Sequence, residues 1–578
     1  MISVERSFYE KFPHLAEGRA RAFAQPVVEL LRRIVREERL NATLAAAAPH
    51  QGFDFVERVL DHFRISYNVA NTDRENIPVE GRVVIVANHP LGALDALALL
   101  NLIGSVRRDV KILANDILMQ LQPLAPLLLP LPVFGGQSLG GAREAYRALE
   151  RDEALIVFPS GEVSRMRPMG VRDPKWSPGF ARLAQKTDSP VLPVHIAAQN
   201  SPMFYGVSML AKPLAALLLP REMFGAANAR IGFNIGELVP CRALSASGLG
   251  PTEVAAHMRR HVYRLARRRP TVFPTSAAVA HPESPLAVRS ALRRAERLGE
   301  TQDGKAILLL DAEQDCPAMR EIGRLRELSF RRVGEGTGAR RDLDRFDGHY
   351  RHLVLWDENA LAIVGAYRLG EAKTILRDRG PDGLYSSTLF EYSNPVPEFL
   401  HEAVELGRSF VQPAYWGSRS LDYLWQGIGA YLTVRPDVRY LFGPVSLTAA
   451  LPGPAREWIA HYHRHYFADR DSMARARNPF VISREVEIAA LAEWAGRSPA
   501  EGLARLRERL TGLDAQLPML YRQYVDLCEP AGVRFLDFGV DPSFGGCVDG
   551  LVRLDIDFLK AAKRARYMKN AAPRTPRA

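Results

Sequence analysis

The tightest constraint in this chain is the run Arg82-Val83-Val84-Ile85-Val86-Ala87, which leads directly into Asn88-His89-Pro90-Leu91-Gly92. A short apolar run dominated by β-branched residues predicts a buried strand. Ala154-Leu155-Ile156-Val157-Phe158 and Pro190-Val191-Leu192-Pro193-Val194-His195-Ile196 read the same way. Helical patterns lie around them: Val27, Val28, Leu30, Leu31, Ile34 and Val35 alternate with Arg32, Arg33, Arg36 and Glu37 at helical spacing. Strands alternating with helices predict an α/β layered fold.

At 578 residues the chain exceeds one core, and two large domains are the simplest division. The pattern weakens between about Thr271 and Thr301, where Pro270, Pro274, Pro282 and Pro285 precede a charged helix-like piece. The expected organisation is a first domain over 1–275, a linker over 276–303, a second domain over 304–560 and a basic tail over 561–578. The second half restarts with a strand at Lys305–Leu310. A helix follows around Ala318–Arg331, then strands near His352–Trp356, Ala360–Tyr367 and Phe410.

Composition narrows the function classes. Hydrophobic residues at 47% and charged residues at 24% exclude wholesale disorder. The cysteines Cys241, Cys316, Cys528 and Cys547 form no Cys-x-x-Cys pair, which argues against a disulfide framework or a zinc site. No metal site is expected. Met1–Arg6 lacks a basic patch followed by an apolar run, so no secretory signal is expected. The stretches Ile117–Phe134 and Met209–Phe224 are apolar but broken by proline, and suit either a buried core or a membrane interface. A net charge of +11 attracts nucleic acid, anionic lipid or an acidic protein. No zinc finger, RNA-binding motif or helix-turn-helix accompanies it, so nucleic acid is set aside.

A histidine in the turn after a buried strand sits where open α/β sheets place their ligands. Asp95 follows six residues after His89, in the first turns of an apolar helix. Alone, such a histidine caps a turn and such an acid neutralises a helix N-terminus. Together, an imidazole takes the proton of an alcohol while a carboxylate fixes its tautomer. About seventy residues on, a second strand ends in Phe158-Pro159-Ser160-Gly161-Glu162-Val163-Ser164-Arg165. Its turn, with Arg165 and Arg167, offers a seat for a phosphate or headgroup. Trp176-Ser177-Pro178-Gly179-Phe180 and the Val191–Ile196 strand complete an ordered set.

Over Val83–Ile196 this set resembles the glycerolipid acyltransferases of the lysophosphatidic acid type, with their Asn-His...Asp, Phe-Pro-x-Gly and Val-x-Pro-Val marks. The resemblance implies His89 as general base and Asp95 as its orienting partner. It gives Asn88, Gly161, Glu162 and Arg165 to acceptor binding. Two departures bear on the acceptor: five residues separate His89 from Asp95 where four are commonest, and Phe-Pro-Ser-Gly-Glu stands for Phe-Pro-Glu-Gly-Thr.

The second half carries Leu325-Arg326-Glu327, then Asp344-Arg345-Phe346-Asp347, His352-Leu353-Val354, Gly365-Ala366-Tyr367-Arg368-Leu369 and Glu405-Leu406-Gly407-Arg408. Leu441–Ser446 and Phe535–Val552, with Asp537, Asp541, Phe544 and Asp549, follow. In this order, over about Ala306–Phe558, they resemble the carrier-protein-dependent N-acyltransferases of the GNAT superfold. Those include the ornithine N-acyltransferases and, more remotely, the acyl-homoserine lactone synthases. The resemblance implies attack of an amine on a thioester, with Glu405 handling the proton. Arg326, Asp344, Asp347, Arg368 and Arg408 would shape the donor and acceptor sites. The usual pyrophosphate loop of GNATs is only approached, by Gln426-Gly427-Ile428-Gly429-Ala430. That suits a phosphopantetheine carrier over coenzyme A.

The expected fold class is therefore α/β throughout, a glycerolipid-acyltransferase-like domain followed by a GNAT-like mixed α/β domain. The two-domain order resembles bifunctional ornithine lipid synthases. It implies N-acylation of an amino acid, ornithine first among the choices, and then O-acylation of the lyso-lipid. No bound cofactor is expected, the donor being acyl-acyl carrier protein or acyl-CoA. Expected partners are acyl carrier protein and an anionic membrane surface, with the chain peripheral on the cytoplasmic face of a bacterial inner membrane. Glycine or lysine as acceptor, a single lysophosphatidic acid acyltransferase activity, and a non-catalytic lipid-binding scaffold remain as alternatives.

Overall fold

In the computed structural model, which describes residues 3–47, 49–131, 139–168, 170–210, 212–311 and 315–568, the run Val83–Ala87 is a strand buried at all five positions. The chain divides into two units, Met1–His281 and Pro282–Ala578. In the first, the strands are β1 Ser66–Val69, β2 Val83–Ala87, β3 Val110–Ala114, β4 Leu128–Pro130, β5 Ala154–Val157, β6 Arg165–Arg167, β7 Gly170–Arg172, β8 Val191–Ala197 and β9 Arg230–Ile235. Seven of them form one sheet in the order β1-β9-β8-β2-β5-β3-β4, parallel except for the β8–β9 pair.

The central strands are covered on both faces, which explains their continuous apolar character. Val83, Ile85 and Ala87 join Ala154, Ile156 and the Leu99 and Ile103 side chains of helix Ala93–Gly104. Val84 and Val86 face the other way, onto Leu155, Phe180, Met258 and Val262 of β5 and two further helices, Gly179–Lys186 and Pro251–Leu265. Fully burying one such side chain stabilises the fold by about 1.5–3 kcal/mol.

In the second unit the strands are β10 Glu296–Glu300, β11 Ala306–Asp311, β12 Arg351–Asp357, β13 Ala362–Glu371, β14 Phe390–Tyr392, β15 Ala403–Val411, β16 Tyr440–Leu447, β17 Ala474–Ala476, β18 Val533–Asp541 and β19 Cys547–Asp555. The main sheet runs β10-β11-β12-β13-β15-β16-β19-β18 and is antiparallel except for β15 against β16. Ile307 and Leu309 of β11 face one core, Leu308 and Leu310 the other.

Two expectations need correction. The segment 276–303 is no linker: it contains helix Pro285–Leu292 and β10. Residues 276–281 belong to the first unit, where Ser276 bridges Leu238 and Ala278 is buried in its core, and 282–303 belong to the second, where Val288 and Leu292 pack with Leu308, Ile322 and Leu325. The basic tail begins as a helix, Ala561–Tyr567, and 569–578 lie outside the described residues. The two proline-broken apolar stretches fold differently. The first passes through a 3-10 turn, Gln122–Leu127, and β4, with its end at 132–134 outside the described residues. The second falls in helices Pro202–Leu210 and Lys212–Gly225. Among the described residues no helix is long and apolar enough to cross a membrane.

Candidate active sites

At the end of β2 the chain turns sharply enough to fold an imidazole onto a carboxylate. The Asn88 amide continues the sheet beyond the strand: its Nδ2 donates to Ile196 O at 2.9 Å, and Ile196 N donates to its Oδ1 at 2.7 Å. Gly92 then takes φ +93°, a conformation that L side chains rarely adopt, and the helix Ala93–Gly104 begins. The Asp95 carboxylate is fully buried in the first turn of that helix. Its Oδ2 accepts from Leu91 N at 2.7 Å and its Oδ1 lies 3.0 Å from His89 Nδ1. This pins the ring with Nδ1 toward Asp95 and leaves Nε2 for an acceptor hydroxyl. Burial by itself disfavours the imidazolium, but Asp95, and then Asp173, outweigh it and raise the His89 pKa above its ordinary value. The ring packs on Phe158, centroids 4.2 Å apart, so the first and second motifs meet.

Sequence reasoning missed a buried acid at this meeting point. Asp173 Oδ1 accepts from the His89 backbone N–H at 3.2 Å and from Ser164 Oγ at 2.5 Å. Its Oδ2 accepts from Trp176 Nε1 at 2.8 Å. Ser164 N donates to His89 O at 2.7 Å, tying the turn after β5 to the turn after β2. The only available signal was Asp173 standing three residues before Trp176.

Gly161, at φ +65°, forms the turn after β5. Glu162 and Arg165 pair with each other, Oε2 to Nη2 at 2.9 Å, and Arg165 Nη1 donates to Ser208 Oγ at 2.6 Å. These three residues stand at the same strand edge as His89, with Arg165 already held by two partners.

The second unit opens a cavity of about 560 Å³. Strands β15 and β16 pair only over Ala403–Glu405 and Tyr440–Phe442. Beyond that, Leu406–Val411 of one and Pro444–Ser446 of the other line opposite walls. A register shift against β13 and a positive φ of 49° at Arg408 mark where β15 bends away. Trp416, Ser418, Leu421 and Met519 line one part of the cavity, including residues at the start of helix Ser420–Val434. Glu335, Tyr385, Arg408, Ser446 and Asp549 supply its polar groups.

Of the six second-unit residues singled out from sequence, the cavity is lined by Arg408. Arg326, Asp344, Asp347 and Arg368 are instead an ion network that does not line it. Arg326 Nη1 meets Asp347 Oδ1 at 2.8 Å, and Arg368 Nη1 meets Asp344 Oδ1 at 2.7 Å and Asp347 Oδ1 at 3.3 Å. Burial would raise the Asp347 pKa, but Arg326 and Arg368 hold it far below the usual carboxylate range. Arg408 ties this network to the cavity: its Nε lies 3.2 Å from Asp342 Oδ2 and its Nη1 donates to Tyr385 Oη at 3.1 Å.

Nor does the structure bring Glu405 to the cavity. It is almost fully buried, and its carboxylate accepts from Ser386 N at 2.6 Å, Tyr385 N at 3.1 Å and the Tyr350 hydroxyl. A carboxylate so engaged holds the 385–386 turn and has no face toward an amine. The Gln426–Ala430 run is not a loop either. It lies inside helix Ser420–Val434, where a Cβ at Gly427 would stand 2.9 Å from Leu353 and one at Gly429 would stand 2.0 Å from Tyr567 O.

The comparisons agree with this division. An acyltransferase family profile matches residues 6–268 and an acetyltransferase (GNAT) domain profile matches 325–426. The lyso-glycine lipid O-acyltransferase of Bacteroides thetaiotaomicron is 31% identical over 246 residues, which is 41% of this chain and 89% of that protein. The glycine N(alpha)-acyltransferase of the same organism is 28% identical over 305 residues, 50% of this chain and 89% of the relative. The L-ornithine N(alpha)-acyltransferase of Brucella abortus is 34% identical over 168 residues, 26% of this chain and 57% of the relative.

Proposed function

We propose, from the premise that the chain belongs to the acyltransferase family and joins an acyltransferase domain to a GNAT domain, that it makes a diacylated amino lipid in two steps. The chain is an enzyme that transfers acyl groups. In the proposed sequence the second unit transfers a 3-hydroxyacyl chain from acyl carrier protein to the α-amine of an amino acid. The first unit then esterifies the 3-hydroxyl with a second acyl chain.

The observation that carries this reading is the presence of two chemically different sites. His89, oriented by Asp95, is built to take a proton from a hydroxyl. The cavity between β15 and β16 is mostly apolar in its lining, and its carboxylates suit an amine. A pantetheine arm would lie between the diverging strands, with its phosphate toward the start of helix Ser420–Val434. Arg408, held by Asp342, Asp344 and Tyr385, would shape the cavity wall beside the amino acid. In the first unit, Asn88 and Gly161 shape the turns, while Glu162 and Arg165 face the lyso-lipid headgroup. The net charge of +11 supports an acidic carrier protein and an anionic inner-leaflet surface as partners, on the cytoplasmic side of the membrane. Covalent linkage of the two units raises the effective concentration of the lyso-lipid for its second step.

For the amino acid we propose ornithine, because Glu335 and Asp549 offer two carboxylates to a diamine. Glycine is the second reading. It is favoured by the glycine-named relative being covered over 89% of its length against 57% for the ornithine-named one.

The test supplies purified full chain with N-(3-hydroxyacyl)ornithine, N-(3-hydroxyacyl)glycine or lysophosphatidic acid, plus an acyl donor. Ester formation on the amino lipids, abolished by His89→Ala, is the expected result. Acylation of lysophosphatidic acid alone would replace this reading with a single glycerolipid activity.

A further inference from the structure

Amide formation needs a base, and Glu405 is spent on holding a turn. An amino acid at neutral pH carries its α-amine mostly as ammonium, which cannot attack a carbonyl until it loses a proton. The group that takes that proton must face the cavity and have an oxygen to spare.

Among the described residues, Asp549 meets both conditions. It lies on β19, opposite Ser446 of β16 and Gly539 of β18, so it is anchored on a strand paired on both sides. Its residue is 6% exposed, and its side chain lines the cavity together with Arg408, Tyr385 and Glu335. One hydrogen bond is found to its carboxylate, from the weakly donating Cys547 thiol at 3.5 Å. A buried carboxylate normally collects stronger donors than this. The groups around it are mostly of its own sign or neutral. Asp541 is engaged with Ser543, through N at 2.8 Å and Oγ at 2.6 Å. Glu335 interacts with the Ser446 hydroxyl. The Tyr521 and Tyr385 hydroxyls stand within its electrostatic reach. The nearby cation, Arg408, is already turned toward Asp342 and Asp344, at 3.2 and 3.5 Å. The cavity therefore holds more negative charge than its own cations answer, and an incoming ammonium supplies what is missing.

We infer that Asp549 is the catalytic base of the N-acyl transfer, receiving the proton of the acceptor's α-ammonium while Glu335 holds the amino acid in place. The assignment rests on the N-acylation reading. In the step, the Asp549 carboxylate takes one proton from –NH3+ and leaves –NH2. The nitrogen lone pair forms the C–N bond to the thioester carbonyl carbon, giving a tetrahedral oxyanion. Collapse of the oxyanion breaks the C–S bond, and the electron pair leaves with sulfur. A second proton from nitrogen neutralises the thiolate, and Asp549 returns its proton to solvent.

Position and titration agree. Burial, reinforced by Asp541 and Glu335 and opposed by Cys547 and Arg408, pushes Asp549 up to about 7. A base poised there is ionised for part of the population at neutral pH and still strong enough to accept the proton.

The experiment uses the full chain, a 3-hydroxyacyl-carrier-protein thioester, and ornithine or glycine, with amide formation followed by mass spectrometry from pH 5.5 to 9.5. The wild-type rate should rise through about pH 7 and level off. Asp549→Asn should lose about 100-fold or more at pH 7, the loss shrinking as solvent deprotonates the amine at high pH. Asp549→Glu should recover part of the rate, and both variants should keep the thermal midpoint of the parent or exceed it, since a buried charge is removed or kept. Retention of the pH 7 rate within a few-fold in Asp549→Asn overturns the assignment alone, as does a loss that is constant with pH. A wild-type chain that forms no amide with either amino acid overturns the N-acylation reading and this assignment with it.

Discussion

On the proposed reading, the two sites handle the proton in opposite ways. In the first unit the pair is assembled locally: His89 and Asp95 are six residues apart, joined through one glycine-dependent turn, and the carboxylate meets the ring and Leu91 N. In the second unit the arginines and acids that stand out in the sequence neutralise one another in a buried network. The groups facing the cavity come from separate segments: Glu335 after a helix, Arg408 from a bent strand, Asp549 from the far side of the sheet. A paired imidazole and carboxylate are ready before the substrate arrives. On the same reading, the cavity carboxylates are completed by the substrate's ammonium.

This contrast is broken most severely at the first site. His89→Ala should reduce O-acylation by about 10³-fold or more while leaving N-acylation intact, so that the monoacyl product accumulates. Turnover of each step, measured separately with its own acceptor, checks this.

Next is the buried network. Asp347→Asn removes the acid shared by Arg326 and Arg368 and should destabilise the second unit by about 3–5 kcal/mol, seen as a lowered thermal midpoint. Because Asp347 is held below its usual pKa, the stability it contributes is present above the carboxylate range and is lost as pH falls through that lowered value. An unchanged midpoint would show that the network is not what holds Arg408.

A pH profile sharpens the local site. The base form of His89 is the neutral ring, so O-acylation should fall on acidification with a midpoint above 6.5. In Asp95→Asn, burial acts without its opposing carboxylate and the midpoint should drop below that of the parent, with a rate loss of about 10²-fold. The smallest expected effect is Glu335→Gln, which should raise KM for ornithine by about 10-fold and KM for glycine by less, with kcat nearly unchanged. Equal effects on both amino acids would remove the case for a diamine acceptor.

The same contrast explains what could be read without a structure. The sequence pattern marked β2, β5 and β8 because strands covered on both faces must be continuously apolar, and Val83–Ala87 meets that demand at every position. The helix Pro317–Arg332 and strands β11, β12, β13 and β15 stood where the pattern placed them. The 276–303 segment misled because β10 is a short edge strand with charged Glu296, Arg297 and Glu300, and its helix buries only Val288 and Leu292. His89 and Asp95 were legible because their contact is local. Asp173 and Glu335 were not, since their importance comes from neighbours 84 and 73 residues away, namely His89 and Arg408, by difference in numbering. Asp549 stood in the sequence as part of the closing segment, but its setting among Asp541, Glu335 and Arg408 is visible only in the fold. Glu405 stood out as the acid of the Glu-Leu-x-Arg strand that carries the resemblance, and only the fold reveals that Tyr350, Tyr385 and Ser386 already occupy it.

The most direct test of the central claim is mass spectrometry of total lipids from a bacterium without amino lipids that expresses either the parent chain or its His89→Ala variant. A diacyl amino lipid from the parent that collapses to its monoacyl form in the variant is the predicted result, and the fragment ion names the amino acid. A diacyl amino lipid from both chains, or none from the parent, would contradict the account.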